Sequence, residues 1–80
     1  MTMRTDLNML GDVVYFTASW TNQATDHTPK SARNVARKEL RDQLTALGVE
    51  WEDISLVRLL IEPRPNGTFI EVQLDAIVKE

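Results

Sequence analysis

Hydrophobic residues recur at helical spacing between Pro29 and Leu47. At about 100° per residue they fall on one stripe with a flank of smaller side chains. The stripe contains Ala36, Leu40, Leu44 and Leu47, and its flank contains Ala32, Val35 and Ala46. Thr28 can cap the start of a helix, Pro29 suits its first turn, and Gly48 can adopt the left-handed conformation that ends it. The pattern predicts one amphipathic helix over residues 29–47.

Three other segments alternate between apolar and polar side chains, as strands do: residues 13–21, 54–62 and 68–78. The predicted core faces are Val14, Phe16, Ala18 and Trp20 in the first, Val57, Leu59 and Ile61 in the second, and Ile70, Val72, Leu74, Ala76 and Val78 in the third. The order is therefore β-α-β-β. We predict an α+β fold in which one amphipathic helix packs on one face of a three-stranded, mainly antiparallel sheet.

The last two predicted strands are joined by a short segment that ends in Asn66-Gly67, a pair typical of hairpin turns. A two-residue turn at this pair would place Arg58 opposite Asp75 and Leu56 opposite Ile77. A four-residue loop would keep the apolar faces matched and change the charge pairs. The sequence leaves both registers open.

The first residues mix apolar and polar side chains without a clear period, and Thr5 and Asp6 could start a helical turn. We expect residues 1–11 to form an N-terminal arm that lies on the domain or on a second copy, and residues 12–80 to form a single α+β domain. The arm lacks the basic start, apolar stretch and cleavage site of a secretory signal, which favours a cytoplasmic location.

One helix covers one face of a sheet, so the opposite face is left bare. It should carry six apolar residues: Val13, Tyr15, Leu56, Leu60, Phe69 and Ile77. An apolar patch of this kind on a small domain usually marks an interface. We expect a partner on this outer sheet face, in the first place a second copy of the chain, which would make the protein a homodimer.

Charge is distributed unevenly along this acidic 80-residue chain, whose net charge is −3. The helical segment carries five basic and two acidic residues, a balance of +3, and the rest carries four basic and ten acidic residues, a balance of −6. We call the residues along one helix side the basic ridge: Lys30, Arg33, Arg37 and Arg41. Glu50, Glu52 or Asp53 could pair with the ridge, or it could bind phosphates or an acidic protein surface.

Candidate chemistry is sparse. The chain has no cysteine and one histidine, His27, which lies next to Asp26 before the helix and fits a turn residue. We identify no cluster with metal-ligand spacing and no phosphate-binding glycine loop, and we predict no catalytic residues, no cofactor and no enzymatic activity. No apolar run approaches the roughly 20 residues needed to cross a membrane.

Trp51 follows the helix among acidic residues and is a candidate anchor for a partner, because tryptophan is enriched at binding hot spots. The strand-helix-strand-strand order with a tryptophan after the helix resembles the dodecins, which are small flavin-binding oligomers. The resemblance implies a ligand stacked on Trp51. Small acidic inhibitors made by phages also have minimal α+β folds, an analogy at the level of the fold.

Three functional hypotheses follow. The first is a non-enzymatic protein-binding module that acts by steric occlusion or scaffolding, such as a viral-type inhibitor of a host nucleic-acid-processing complex. The second is a binder of the nucleic-acid backbone through the basic ridge, although no motif of a known nucleic-acid module is present. The third is a small-ligand-binding homo-oligomer of the dodecin type.

Overall fold

The computed structural model describes residues 2–22, 29–65 and 67–79. The elements are β1 (Thr2–Leu10), β2 (Val13–Asn22), α1 (Pro29–Ala46), β3 (Trp51–Arg64) and β4 (Gly67–Val78). The strands form one antiparallel sheet in the order β1-β2-β4-β3, and α1 packs on one face of it. The predicted α+β class with one helix on one sheet face is confirmed. The predicted number of three strands is wrong, because the sheet has four.

The additional strand is β1, which lies in the segment predicted to be an arm. It pairs with β2 along its whole length, from Thr2 opposite Thr21 to Leu10 opposite Val13. Gly11 and Asp12 form the two-residue connection, and Gly11 has a φ of 64° while no residue other than glycine has a positive φ in the described parts of the chain. A positive φ at the first turn position alone fits a type II′ turn, which suits the twist of paired strands.

The helix ends as predicted. Gly48 has a φ of 72°. Its N–H donates to the carbonyl of Thr45 at 3.1 Å, and the N–H of Val49 donates to the carbonyl of Leu44 at 2.9 Å. These two bonds are the Schellman motif, which satisfies carbonyls that the last turn would otherwise leave unpaired. Thr28, the predicted cap at the other end, lies outside the described residues.

The core lies between α1 and one face of β2 and β4. Its fully buried members are Val14, Phe16, Ala18, Trp20, Ala32, Ala36, Leu40, Leu44, Ile70, Val72, Leu74 and Ala76. The predicted core faces of β2 and β4 are thus confirmed, with Val78 partly buried against the cluster. On α1 the buried row follows a spacing of four residues. Leu47 is exposed because it lies beyond the last helical residue, contrary to its predicted place in the stripe.

The prediction for β3 was partly wrong because the strand contains a bulge. Its register with β4 shifts between Leu56, opposite Leu74, and Arg58, opposite Gln73. The extra residue, Val57, is 56% exposed, whereas Leu56 packs against the core. A bulge exchanges the two sides of a strand, so Leu56 and Val57 each lie on the side opposite to the one predicted. Leu59 packs against the core as predicted.

The β3–β4 hairpin does not have the charge pairing that a two-residue Asn66-Gly67 turn would give. Pro63 lies opposite Thr68 and Arg64 opposite Gly67, while Arg58 faces Gln73 rather than Asp75. Glu62 lies opposite Phe69, so the strand pairing does not set it against another carboxylate. Residue 66, the first residue of the predicted Asn66-Gly67 turn, lies outside the described residues.

Candidate functional site

The outer sheet face, which α1 does not cover, is apolar at one end. Leu10, Val13 and Ile77 lie side by side on three neighbouring strands, and Tyr15 follows Val13 on the same face. Leu10 is 64% exposed, Tyr15 45% and Ile77 44%. Val57 projects beside them from the bulge in β3. We call Leu10, Val13, Tyr15, Val57 and Ile77 the apolar patch.

A shallow recess of about 260 Å³ lies at the edge of the apolar patch. Tyr15 and Val57 form opposite walls, and Gln73 and Asp75 of β4 contribute to the lining between them. Its polar residues, Tyr15, Thr17, Gln73 and Asp75, carry two hydroxyls, an amide and a carboxylate. Such a recess can accept an apolar side chain and still hydrogen-bond to polar atoms around it.

The middle of the outer face is polar, which separates the patch from the far end of the sheet. Side chains there come from Arg4, Asp6, Thr17, Ser19, Arg58, Glu71 and Gln73. The amide of Gln73 donates to the Glu71 carboxylate at 3.4 Å. The outer face is therefore not one continuous apolar surface.

At the far end, the chain's own side chains cover part of the apolar surface. The guanidinium of Arg64 stacks on the ring of Phe69 at 4.1 Å from the centroid. Its Nε also donates to Glu62 Oε1 at 3.3 Å. Phe69 and nearby Leu60 are both half-buried. This end has fewer free apolar atoms than the apolar patch.

The structure thus divides the six predicted outer-face residues into three groups. Val13, Tyr15 and Ile77 belong to the apolar patch, and Leu60 and Phe69 lie at the far end of the outer face. Leu56 lies on the helix side, because of the bulge. The sequence did not identify Leu10 and Val57 as residues of the outer face. The alternation of Met3, Leu7 and Met9 before a Gly-Asp pair could have revealed β1, but no sequence signal marks the bulge.

The basic ridge lies beside the start of β3. Lys30, Arg33 and Arg41 are exposed, and Arg37 is half-buried. Arg37 and Arg41 line a recess of about 270 Å³ whose other walls are Trp51, Glu52, Asp53 and Ile54. Within residues 2–22, 29–65 and 67–79, no ion pair joins the ridge to Glu50, Glu52 or Asp53, and Nε of Arg37 is buried without a hydrogen-bond partner.

Trp51 is half-buried rather than fully exposed. It lies opposite Val78 and packs against the edge of the core, so only part of its ring lines the recess beside the basic ridge. The anchor predicted at Trp51 therefore has less free surface than the residues of the apolar patch.

The exposed side of α1 carries a separate ion pair. Lys38 Nζ lies 2.9 Å from Asp42 Oδ2, one helical turn away. The hydrogen bond and the charge of Asp42 raise the pKa of Lys38 above its usual value of 10.5. On the other side of the helix, Gln43 donates to Thr5 Oγ1 at 2.9 Å and so connects α1 to β1.

Two further observations on the described residues concern metal sites and membrane-spanning helices. They contain no group of three or more His, Cys, Asp or Glu residues placed to hold a metal ion. In this part of the chain no helix has both the length and the apolar character needed to cross a membrane. His27 lies outside it.

Comparisons with protein-family models, with well-characterised proteins and with solved structures found no match for this chain. The element order, β-β-α-β-β, also differs from the β-α-β-β order on which the resemblance to the dodecins was based. The surfaces described above are therefore the features from which a function can be inferred.

Proposed function

We propose that this chain is a non-enzymatic protein-binding module that binds its partner through the apolar patch. The observation that supports this proposal is the exposure of Leu10, Tyr15 and Ile77 as neighbours on the sheet face that α1 does not cover. Burying a large apolar side chain contributes about 1.5–3 kcal/mol. A protein that covers these side chains gains that free energy on binding.

The residues around the patch indicate the chemistry of the partner. Asp53 lies opposite Ile77, and Asp75 lies opposite Tyr15. Carboxylates at the rim of an interface favour a partner that presents an apolar protrusion flanked by lysine or arginine. The proposed mode of action is steric: the module occupies a surface of its partner, or holds two surfaces together.

The basic ridge supports nucleic-acid binding less well. Arg37 and Arg41 share their recess with Glu52 and Asp53, whose carboxylates repel phosphate groups. A nucleic-acid binder would lose affinity steeply with salt and with removal of one ridge charge. Binding through the apolar patch should not depend on a ridge charge, and salt should weaken only the ion pairs at its rim.

Site-specific photocrosslinking tests the proposal. A benzophenone amino acid replaces Tyr15 in the patch or, as a control, Asn34 on the exposed side of α1, and the protein is irradiated in the cells that produce it. We expect one protein to be linked from position 15 and not from position 34, and mass spectrometry identifies it. The same set of proteins linked from both positions would contradict the proposal.

Binding measurements with the purified crosslinked protein then provide the quantitative test. Ile77→Asp should weaken binding at least about tenfold, since it places a charge in the apolar contact. Arg33→Glu, which changes a ridge charge, should leave the affinity within about threefold of wild type. Binding that survives Ile77→Asp but is lost in Arg33→Glu would favour the basic ridge instead.

A further inference from the structure

The two edges of the sheet differ in their protection against pairing with another strand. The outer edge of β3 has register shifts near Glu52 and Val57 and a proline at position 63. Bulges and prolines are two of the devices that keep edge strands from pairing. β1 has none of them: its register with β2 is continuous over nine residues, and it contains no proline and no lysine.

The hydrogen-bonding direction of the backbone shows which groups β1 presents at its free edge. The carbonyl of Asp12 accepts from the N–H of Val78 on the β4 side. Successive residues of a strand direct their backbone N–H and C=O groups to opposite edges. The groups of Val13 therefore point towards β1, where Val13 pairs with Leu10 across the turn. It follows that Met3, Thr5, Leu7 and Met9 direct their N–H and C=O groups outward, where no strand of the described residues pairs with them.

We propose that a second copy of this chain adds its own β1 to this edge, antiparallel, with Thr5 of one copy opposite Thr5 of the other. Such a contact has twofold symmetry, so each pairing occurs twice. Arg4 of each copy then lies opposite Asp6 of the other, and Met3 lies opposite Leu7. The two sheets join into one sheet of eight strands.

Charge complementarity selects this register over its neighbours. A shift that centres the pairing on residue 6 places Asp6 opposite Asp6, and a shift that centres it on residue 4 places Arg4 opposite Arg4. A shift of the pairing by a single residue would place apolar side chains from the helix side of one β1 opposite polar side chains from the outer face of the other β1. In the Thr5-centred register, Arg4 and Asp6 form non-hydrogen-bonded pairs, in which opposed side chains approach most closely.

The same register gives hydrogen-bond partners to the backbone groups at the free edge of β1, and it also covers apolar surface. Met3, Thr5 and Leu7 form about six backbone hydrogen bonds with their counterparts. Met9 is exposed, and Met3 and Leu7 are half-buried, because α1 packs over the other three strands rather than over β1. Pairing places the apolar side chains of the two β1 strands side by side on the helix side of the joined sheet.

The edge contact leaves the apolar patch free, so this proposal does not depend on the proposed function. At about 3.4 Å per residue, each Leu10 lies about 17 Å from the symmetry axis. The two patches then face the same side of the joined sheet, about 34 Å apart. A partner with two binding sites at that spacing would bind with increased avidity.

A charge exchange tests the register by sedimentation equilibrium. The wild type should reach a mass of twice the 9.1 kDa chain. Arg4→Asp and Asp6→Arg should each raise the dimer dissociation constant at least about tenfold, because each places like charges opposite one another twice. The double variant restores the opposite charges and should return to within about threefold of wild type.

Arg58→Asp is the matched control, since it reverses a charge on the outer face of β3 and should leave the dissociation constant unchanged. A wild type that stays monomeric at millimolar concentration overturns the proposal. So does a dimer that is insensitive to the charge at positions 4 and 6, or one that Ile77→Asp dissociates while Arg4→Asp does not.

Amide hydrogen exchange in the wild type provides a measurement without substitutions. The N–H groups of Thr5 and Leu7 should exchange quickly in dilute monomer and slowly at concentrations where the dimer forms. Those of Arg4 and Asp6, which bond to β2, should be protected in both conditions. Equal, fast exchange at Thr5 and Leu7 in the dimer would show that β1 is not the contact.

Discussion

Both faces of the sheet carry aromatic and aliphatic side chains, but these side chains meet different surroundings. Phe16 and Tyr15 are neighbours on β2, but Phe16 is 1% exposed beneath α1 and Tyr15 is 45% exposed on the outer face. An aromatic residue on the helix side stabilises the fold. One on the outer side is available to another molecule. Residue type alone does not separate the two roles, which depend on which face the helix covers.

The largest expected effect is a difference in stability between variants of these two aromatic residues. Phe16→Ala should lower the free energy of unfolding by about 3–5 kcal/mol, since it opens a cavity in the core. Tyr15→Ala should lower it by no more than about 1 kcal/mol, since nearly half of its surface is already in water and its removal opens no cavity in the core. Urea denaturation at one fixed protein concentration measures both. Equal losses would contradict the one-sided coverage of the sheet.

The next effect tests the bulge, where the two faces change places along β3. Leu56→Asp should cost about 2 kcal/mol or more, because it places a carboxylate against the core. Val57→Asp should change the stability by no more than about 0.5 kcal/mol. The same denaturation experiment compares them. A larger loss in Val57→Asp would mean that β3 has the unbulged register, with Val57 inward.

The third effect concerns the end of the helix that covers the inner face. Gly48→Ala should cost about 1 kcal/mol, because alanine is strained at a φ of 72°. Apart from the adjoining residues, no atom of the described residues lies within 4 Å of the added carbon, so the loss comes from the backbone alone. Gly48→Asn should cost less, since asparagine tolerates this conformation. Thermal unfolding of the three proteins shows whether this order holds.

The smallest effect concerns the water-exposed side of the same helix. The pKa of Lys38 is raised by Asp42, so the pair stabilises the fold fully below pH 10.5, and this contribution is lost as the pH rises through the higher folded-state pKa. The difference in urea midpoint between wild type and Lys38→Gln should therefore shrink above pH 10.5. A difference that grows with pH would contradict the assignment of the pair.

The sequence predicted the helix and the two central strands because their signals are local. The spacing of Ala36, Leu40 and Leu44, together with Gly48 at the end, identifies α1 without any tertiary information. The alternation in β2 and β4 likewise assigned every buried residue of those strands to the correct face.

The edge strands were harder to predict for two physical reasons. In β1, Thr5 interrupts the apolar alternation of Met3, Leu7 and Met9, and Leu10 places an apolar side chain on the otherwise polar face of the strand. In β3, Val57 has the composition of a core residue, and its outward position follows from pairing with β4, which a local pattern does not encode. Because of these two errors, the sequence did not place Leu10 and Val57 on the outer face.

Tyr15 is the chain's single tyrosine, so its chemical reactivity reports on the outer face directly. Nitration by tetranitromethane, followed by mass spectrometry, compares the native protein with the urea-denatured chain. If the outer face is free in the isolated protein, Tyr15 should react at a comparable rate in both states, at low and at high protein concentration. A native Tyr15 that resists nitration would show that this face is already covered, by the chain itself or by a second copy.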